Sequence, residues 1–168
     1  MRLTNMQYVL KQKLVSLGNN FTIKDVDGRE AFQVKGELAS LGDKLSFQDL
    51  DGNELVCIEQ KVFNWVGIYE IWRDGKMLAD VRRDLFSFRR HRFTVDVPGP
   101  DDLEAVGDFL NFEYVVNRGD RKIATITRQL FHLSDTYWVQ IDDQETDHVL
   151  VLAIAVIIEV VCNRRHNY

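Results

Sequence analysis

VLVLAIAVIIEVVC, residues 149–162, is the stretch whose surroundings decide the fold. Thirteen of its fourteen residues are apolar, and Glu159 is the exception. A helix of this composition has no face left for water, so it must be enclosed on every side. Lipid and protein are the two available enclosures. Fourteen helical residues rise about 21 Å, short of the roughly 30 Å of hydrocarbon in a bilayer. The expected wall is therefore protein, and no transmembrane segment is expected. Asp142 and Glu145 stand at capping-box spacing, Asp143 and Asp147 add negative charge before the run, and Asn163-Arg164-Arg165 follow it. These flanks suit the two ends of a helix dipole and predict a central helix over about 143–162.

Upstream, turn signals recur. Asp27-Gly28, Asp51-Gly52 and Asp74-Gly75 lie 24 and 23 residues apart, and Arg118-Gly119-Asp120 makes a fourth. Asp-Gly favours two-residue hairpin loops, in which both central residues take positive φ. The flanking runs alternate β-branched or aromatic residues with polar ones. The expected pairs are Phe21–Ile23 with Ala31–Val34, Leu45–Phe47 with Leu55–Ile58, Tyr69–Trp72 with Met77–Val81, and Phe112–Val116 with Ile123–Thr127. Phe86–Phe88, Phe93–Val97 and Tyr137–Ile141 are further strand candidates, while Leu103–Gly107 reads equally as a helical turn or a strand. About ten strands around one wholly apolar helix imply a closed or nearly closed β-barrel with a helical plug. No compositional break interrupts residues 1–168, so a single domain is expected, with strands and hairpins over about 7–141.

At 168 residues, 45% apolar and 28% charged, the chain is an ordinary globular length and composition, able to form a core without a disulfide or metal. Cys57 and Cys162 are far apart and are expected to be reduced and buried. Met1–Tyr8 lacks the apolar segment of a secretory signal, which makes the Asn20-Phe21-Thr22 acceptor a chance match and the cytoplasm the expected compartment.

Three stretches resemble the LURP-one-related family in its small prokaryotic branch, a family grouped with tubby C-terminal and phospholipid-scramblase-like domains. They are YVLKQKLVSLGNNFTIKDVDGREAFQVKGELASLGDKLSFQDLDGNEL at 8–55, FTVDVPGPDDLEAVGDFLNFEY at 93–114 and RQLFHLSDTYWVQIDDQETDHVLVLAIAVIIEVV at 128–161. The last is the most specific: Phe131, then Asp135-Thr136-Tyr137, an acidic linker and the apolar helix. The resemblance implies a closed antiparallel barrel of about twelve strands around one central hydrophobic C-terminal helix. Leu130, Ser134 and Trp138 depart from the family pattern, in which tryptophan, arginine and glycine are common. Without that arginine, an anion-binding role of the Ser134 segment does not carry over. The extension, cysteine cluster and calcium-binding segment associated with scramblases have no counterpart in the sequence.

Charge is the clearest local anomaly. Residues 73–92, RDGKMLADVRRDLFSFRRHR, hold seven of the 21 basic residues and three of the 26 acidic ones, a net +4. The remainder, 14 basic against 23 acidic, is −9. Such an island focuses an anion locally while the rest of the surface repels polyanions. Arg82, Arg83, Arg89, Arg90 and Arg92 offer forked donors to phosphate, with Phe86, Phe88 and Phe93 interleaved. The competing reading is a solvated outer face over core phenylalanines. In a regular strand Arg82 and Arg83 point oppositely, as do Arg89 and Arg90. A pI of about 5.4 and the lack of a recognition module argue against nucleic acid.

Other motifs reduce to structure. In an EF-hand register, Asp25-Val26-Asp27-Gly28 and Asp49-Leu50-Asp51-Gly52 would place Ile23 or Phe47 at position 1 and Val34 or Ile58 at position 12, none of which is a charged ligand. Cys57-Ile58-Glu59-Gln60-Lys61 lacks the paired glutamates of a triphosphate tunnel, which the helix would fill in any case. His132-Leu133-Ser134-Asp135 carries triad residue types without a nucleophile elbow. His91, His148 and His166 lack ligand spacing, and no phosphate-cradling Gly-rich loop occurs. Glu159, ionisable within the apolar helix, must meet an arginine, a tyrosine or a backbone donor of the wall, reach the barrel mouth, or serve as a proton or ligand site.

The leading expectation is a non-catalytic binding module without cofactor or metal, which takes an anionic phospholipid headgroup or another phosphate-bearing ligand on its basic island. It would be cytoplasmic and peripheral at a membrane. The alternatives are a scaffold that meets a protein partner through its acidic surface or a barrel edge, and an enzyme with a shallow surface site.

Overall fold

A computed structural model describes residues 6–13, 19–37, 42–61, 67–84, 90–108, 113–131, 134–142 and 146–163. In chain order the strands are β1 (Met6–Gln12), β2 (Phe21–Asp25), β3 (Glu30–Glu37), β4 (Lys44–Gln48), β5 (Glu54–Lys61) and β6 (Ile68–Arg73). They continue with β7 (Lys76–Asp84), β8 (Arg90–Asp96), β9 (Leu103–Asp108), β10 (Glu113–Arg118), β11 (Arg121–Phe131) and β12 (Ser134–Ile141), and the helix α1 is His148–Asn163. Each strand pairs antiparallel with its chain neighbours, and β1 also pairs with β12 from Met6↔Ile141 to Lys11↔Thr136, which closes the barrel. Closure removes the barrel edge that was one expected partner surface, because β1 spends both of its hydrogen-bonding sides on β2 and β12.

All four expected hairpins form, with Phe21↔Val34, Leu45↔Ile58, Tyr69↔Val81 and Val116↔Ala124 among their pairs, while Phe112 of the fourth lies outside the described residues. Leu103–Gly107 resolves as strand, within β9. Phe86–Phe88 lies outside the described residues. Of these four turns, only Asp74-Gly75 has both central residues at positive φ, 50° and 73°. At the Asp27-Gly28 and Asp51-Gly52 turns only the glycine is positive. The physical reason is a longer loop closed by a side chain. Asp25 Oδ1 accepts from the amides of Asp27 and Arg29, and Asp49 Oδ1 accepts from those of Asp51 and Asn53. Each carboxylate serves the turn itself.

Strand alternation sends one side chain in two to the interior, as with Val56 and Ile58 on β5 and Tyr69 and Ile71 on β6. These surround α1, in which every residue from Val151 to Ile158 is 0% exposed. Among the described residues no helix is long and apolar enough to cross a membrane.

The helix begins later than its flanks implied. Asp147 is its N-cap: Oδ1 accepts from the Leu150 amide at 3.2 Å and its carbonyl from Val151. Asp142 instead binds Gln140 and Lys122 on the wall, while Asp143 and Glu145 lie outside the described residues. Asp147 also meets Arg73 at 2.6 Å, pinning the helix start to β6. Burial pushes its carboxyl up, but the bonds from Arg73 and from the Leu150 amide outweigh this and hold it below the ordinary carboxylate value. Asp147→Ala is expected to cost about 1–2 kcal/mol at neutral pH. A carboxylate depressed in the folded state stabilises above its unfolded value of about 4 and loses that contribution as pH falls through the folded value. Urea unfolding at pH 7 and pH 3 should therefore separate wild type from variant at the first pH and bring them closer at the second.

Candidate functional site

The five arginines of the basic island do not share a surface. Strands β7 and β8 pair in unbroken register from Asp80↔Asp96 to Asp84↔Arg92, so adjacent residues face opposite ways. Arg82 is on the outer wall, bonded to Asp80 at 3.1 Å and within 3.7 Å of Asp96. Arg92 is also outside, paired with Glu104 at 2.6 Å. Arg83 is in phase with buried Val81 and Ala79 and turns inward. Arg90 contributes backbone to β8 opposite Asp108, but its side chain and the whole of Arg89 lie outside the described residues. So does His132-Leu133.

Inside the barrel, Arg83 meets a set of polar groups that no sequence window contained. Its Nη2 is 3.3 Å from Nε2 of His91, on β8. The other ring nitrogen, Nδ1, is 3.2 Å from the Tyr114 hydroxyl of β10, which is 3.3 Å from Cys162 Sγ on α1. One helical turn earlier, Glu159 receives the hydroxyl hydrogen bond of Tyr137 on β12. The Arg128 guanidinium of β11 lies 5.9 Å from the centre of the Tyr137 ring. Glu159, 1% exposed, thus has the tyrosine partner that burial demanded. Strands β7, β8, β10, β11 and β12 and the last turns of α1 supply these groups.

Burial, followed by the charge and hydrogen bond of Glu159, pushes the Tyr137 hydroxyl above its ordinary range. Burial, then Cys162, does the same to Tyr114. Both phenols stay protonated. The Cys162 thiol is raised chiefly by burial, against the lowering effect of Tyr114, Arg83 and Arg128. Among the described residues, the two phenols, the imidazole and the thiol lie near two guanidiniums and one carboxylate.

Gly107 makes room for it. Tyr114 lies directly across from Gly107, which on its other side faces His91. A Cβ at position 107 would overlap the Tyr114 ring. Glu159 and Cys162 share a helix face through their i, i+3 spacing, and Arg83 is legible as inward from the β7 alternation. His91, Tyr114, Arg128 and Tyr137 needed the barrel order to bring them together.

Cys57 and Cys162 are both free and partly buried where burial was expected; Cys162 lies in the interior cluster, whereas β5 turns Cys57 outward. Burial, with help from Glu54 and Glu59, pushes the Cys57 thiol up to about 11. At neutral pH it should carry roughly 100-fold less thiolate than an ordinary thiol, so iodoacetamide labelling of Cys57 in a Cys162→Ser variant should be slower than labelling of a model thiol by about that factor. On β1, β11 and β12, Gln7, Thr125, Thr127, Trp138, Val139 and Gln140 line a shallow groove, with Trp138 40% exposed. Among the described residues no three His, Cys, Asp or Glu side chains gather to hold a metal ion.

A closed twelve-stranded antiparallel barrel enclosing its own C-terminal helix defines a recognisable class of protein. The family described as LURP-one-related matches residues 6–159, and the chain belongs to that family. It is 31% identical over 156 residues to the uncharacterized protein YxjI of Bacillus subtilis (strain 168), with 93% of each chain covered. In three dimensions it is similar to a protein of Arabidopsis thaliana solved by X-ray crystallography, with a TM-score of 0.68, 21% identity, and coverage of 94% of this chain and 91% of that one. That likeness shows the fold.

Proposed function

We propose that the protein is a non-catalytic binding module that holds an anionic, phosphate-bearing ligand, such as a phospholipid headgroup, on the hairpin of residues 73–92. The observation that supports this reading is the segregation of charge: net +4 on that hairpin against −9 on the rest of the chain. The interior is occupied by α1, which leaves the outside of the barrel for a ligand. Arg82 and Arg92 already face carboxylates, so a phosphate must compete with Asp80, Asp96 and Glu104 for them. Arg89 and Arg90 are the positions to test first. Wild type is expected to co-sediment with anionic vesicles at low salt and to be released as salt rises. A folded Arg89→Glu/Arg90→Glu variant should lose that binding. Absence of binding to anionic vesicles at low salt would retire the lipid reading.

A second reading, a protein-interaction scaffold, draws support from the groove around Trp138. Its lining residues carry no charge, and exposed tryptophan is a frequent anchor of protein interfaces. On this reading, Trp138→Ala abolishes capture of one stoichiometric protein partner while leaving vesicle binding unchanged. Capture that survives the substitution would remove the groove from consideration.

A further inference from the structure

We propose that the outer face of β1, β12 and β11 around Trp138 is a binding site for a small neutral saccharide of one or two rings. Register sets its floor. One row across the three strands is Val9, Trp138 and Thr127, and a second is Gln7, Gln140 and Thr125. Alternation turns both rows outward, opposite to the intervening row Tyr8, Val139 and Ile126, which is buried. The groove over this floor spans about 10 Å across the strands and about 7 Å between the rows. Its polar groups have capacity to spare. Among the described residues neither the Trp138 indole N–H nor the hydroxyls of Thr125 and Thr127 has a hydrogen-bond partner. The amides are oriented in series: Gln7 Nε2 donates to Gln140 Oε1 at 3.4 Å, Gln140 Nε2 to Asp142 Oδ1 at 2.8 Å, and Asp142 pairs with Lys122 at 3.0 Å. Gln7 Oε1 is left to accept, and each amide nitrogen keeps a second hydrogen to donate.

The chemistry of this set selects the ligand. An aromatic side chain beside a few fixed polar groups is the usual make-up of a small-ligand site. No lysine or arginine lines the groove, so nothing there neutralises a phosphate or a carboxylate. A sugar ring matches what is present: its C–H face stacks on an indole, and its hydroxyls both donate and accept. Size points the same way. The next strands out put Lys24 beside Val9 and Glu113 beside Thr127, so charged side chains bound the floor on both sides. A standard protein interface instead buries about 800 Å² per side around an apolar centre. Trp138 has no such surroundings. The other exposed large apolar side chains among the described residues are Met6, in phase with inward Tyr8, and Val26, Leu50 and Met77 at the hairpin tips. This use of the groove is independent of the phosphate reading and is the alternative to a protein partner there.

NMR titration of the full chain tests it, with cellobiose, maltose, lactose and di-N-acetylchitobiose each taken to about 50 mM, enough to saturate a site of millimolar Kd. At least one of the four should move the Trp138 indole N–H signal, assigned by its loss in Trp138→Phe, and the amides of Thr125 and Thr127. Because the lining is uncharged, the response should be equal at low and high salt. Sorbitol, a polyol with no ring face, should produce none of it. Thr125→Val keeps the shape, removes the hydroxyl and should weaken binding at least about threefold. Trp138→Ala should abolish the amide shifts while its urea midpoint stays near that of wild type. The proposal is overturned if none of the four disaccharides moves these signals, if sorbitol moves them equally, or if salt releases the ligand. Wild-type affinity in Thr125→Val, or undiminished amide shifts in a folded Trp138→Ala, would also overturn it. Should Trp138→Ala not fold, the wild-type titrations and Thr125→Val decide. Capture of a protein through Trp138 with no response to the four sugars would return the groove to the scaffold reading.

Discussion

Aspartate at Ile154 unfolds the protein. Ile154 stands in the middle of α1 with 0% exposure. Removing its side chain from a filled barrel forfeits about 2–5 kcal/mol in transfer and cavity terms. The new carboxylate has no paired charge at that depth and must either be neutralised or stay charged at a cost of several kcal/mol more. Together these match the roughly 5–15 kcal/mol by which a domain is stable at all. Far-UV circular dichroism and urea titration should show Ile154→Asp unfolded or molten at neutral pH. Ile154→Val, which removes only one methylene from the same site, should cost about 1 kcal/mol and stay folded. A folded Ile154→Asp protein with near wild-type stability would mean that the helix is not enclosed.

Gly107→Ala is the second large effect, expected to destabilise by about 2–5 kcal/mol. The new methyl group overlaps the Tyr114 ring, and overpacking alone costs about 1–3 kcal/mol. Displacing the ring also breaks the hydroxyl's contacts with His91 and Cys162, each worth about 1 kcal/mol. Chemical denaturation of Gly107→Ala, Tyr114→Ala and the double variant checks the mechanism. If the collision is with Tyr114, the double variant loses much less than the sum of the single losses. Additive losses would place the damage elsewhere in β9.

How far the sequence reaches is set by the range of the signal. The helix and the serial hairpins are local patterns: fourteen residues without a polar face, or Asp-Gly between alternating runs, and both are readable in a window. β1 is less evident, because Tyr8-Val9-Leu10 is apolar throughout and only pairing with β2 and β12 shows that Val9 faces out. The N-cap is misplaced by sequence spacing because acidic residues before a helix compete. Asp147 wins it by meeting both the Leu150 amide and Arg73, a residue 74 positions away. The polar cluster around Glu159 is non-local altogether. Alternation can say that Arg83 turns inward and Glu159 demands a partner, but not that β7, β8, β10 and β12 deliver Arg83, His91, Tyr114 and Tyr137 to one end of α1. The basic island is the reverse case: dense in sequence, it is divided by strand alternation between the outer wall and the interior.

The central claim is that α1 is the core of the barrel and shares its stability. Native-state hydrogen exchange of the backbone amides measures this directly. The amides of Val151–Ile158 should exchange only through global unfolding, with protection equal to the strongest found in the central strands. Exchange of those amides orders of magnitude faster than that of β5 or β6 would show a helix that leaves an intact barrel, and would contradict the account.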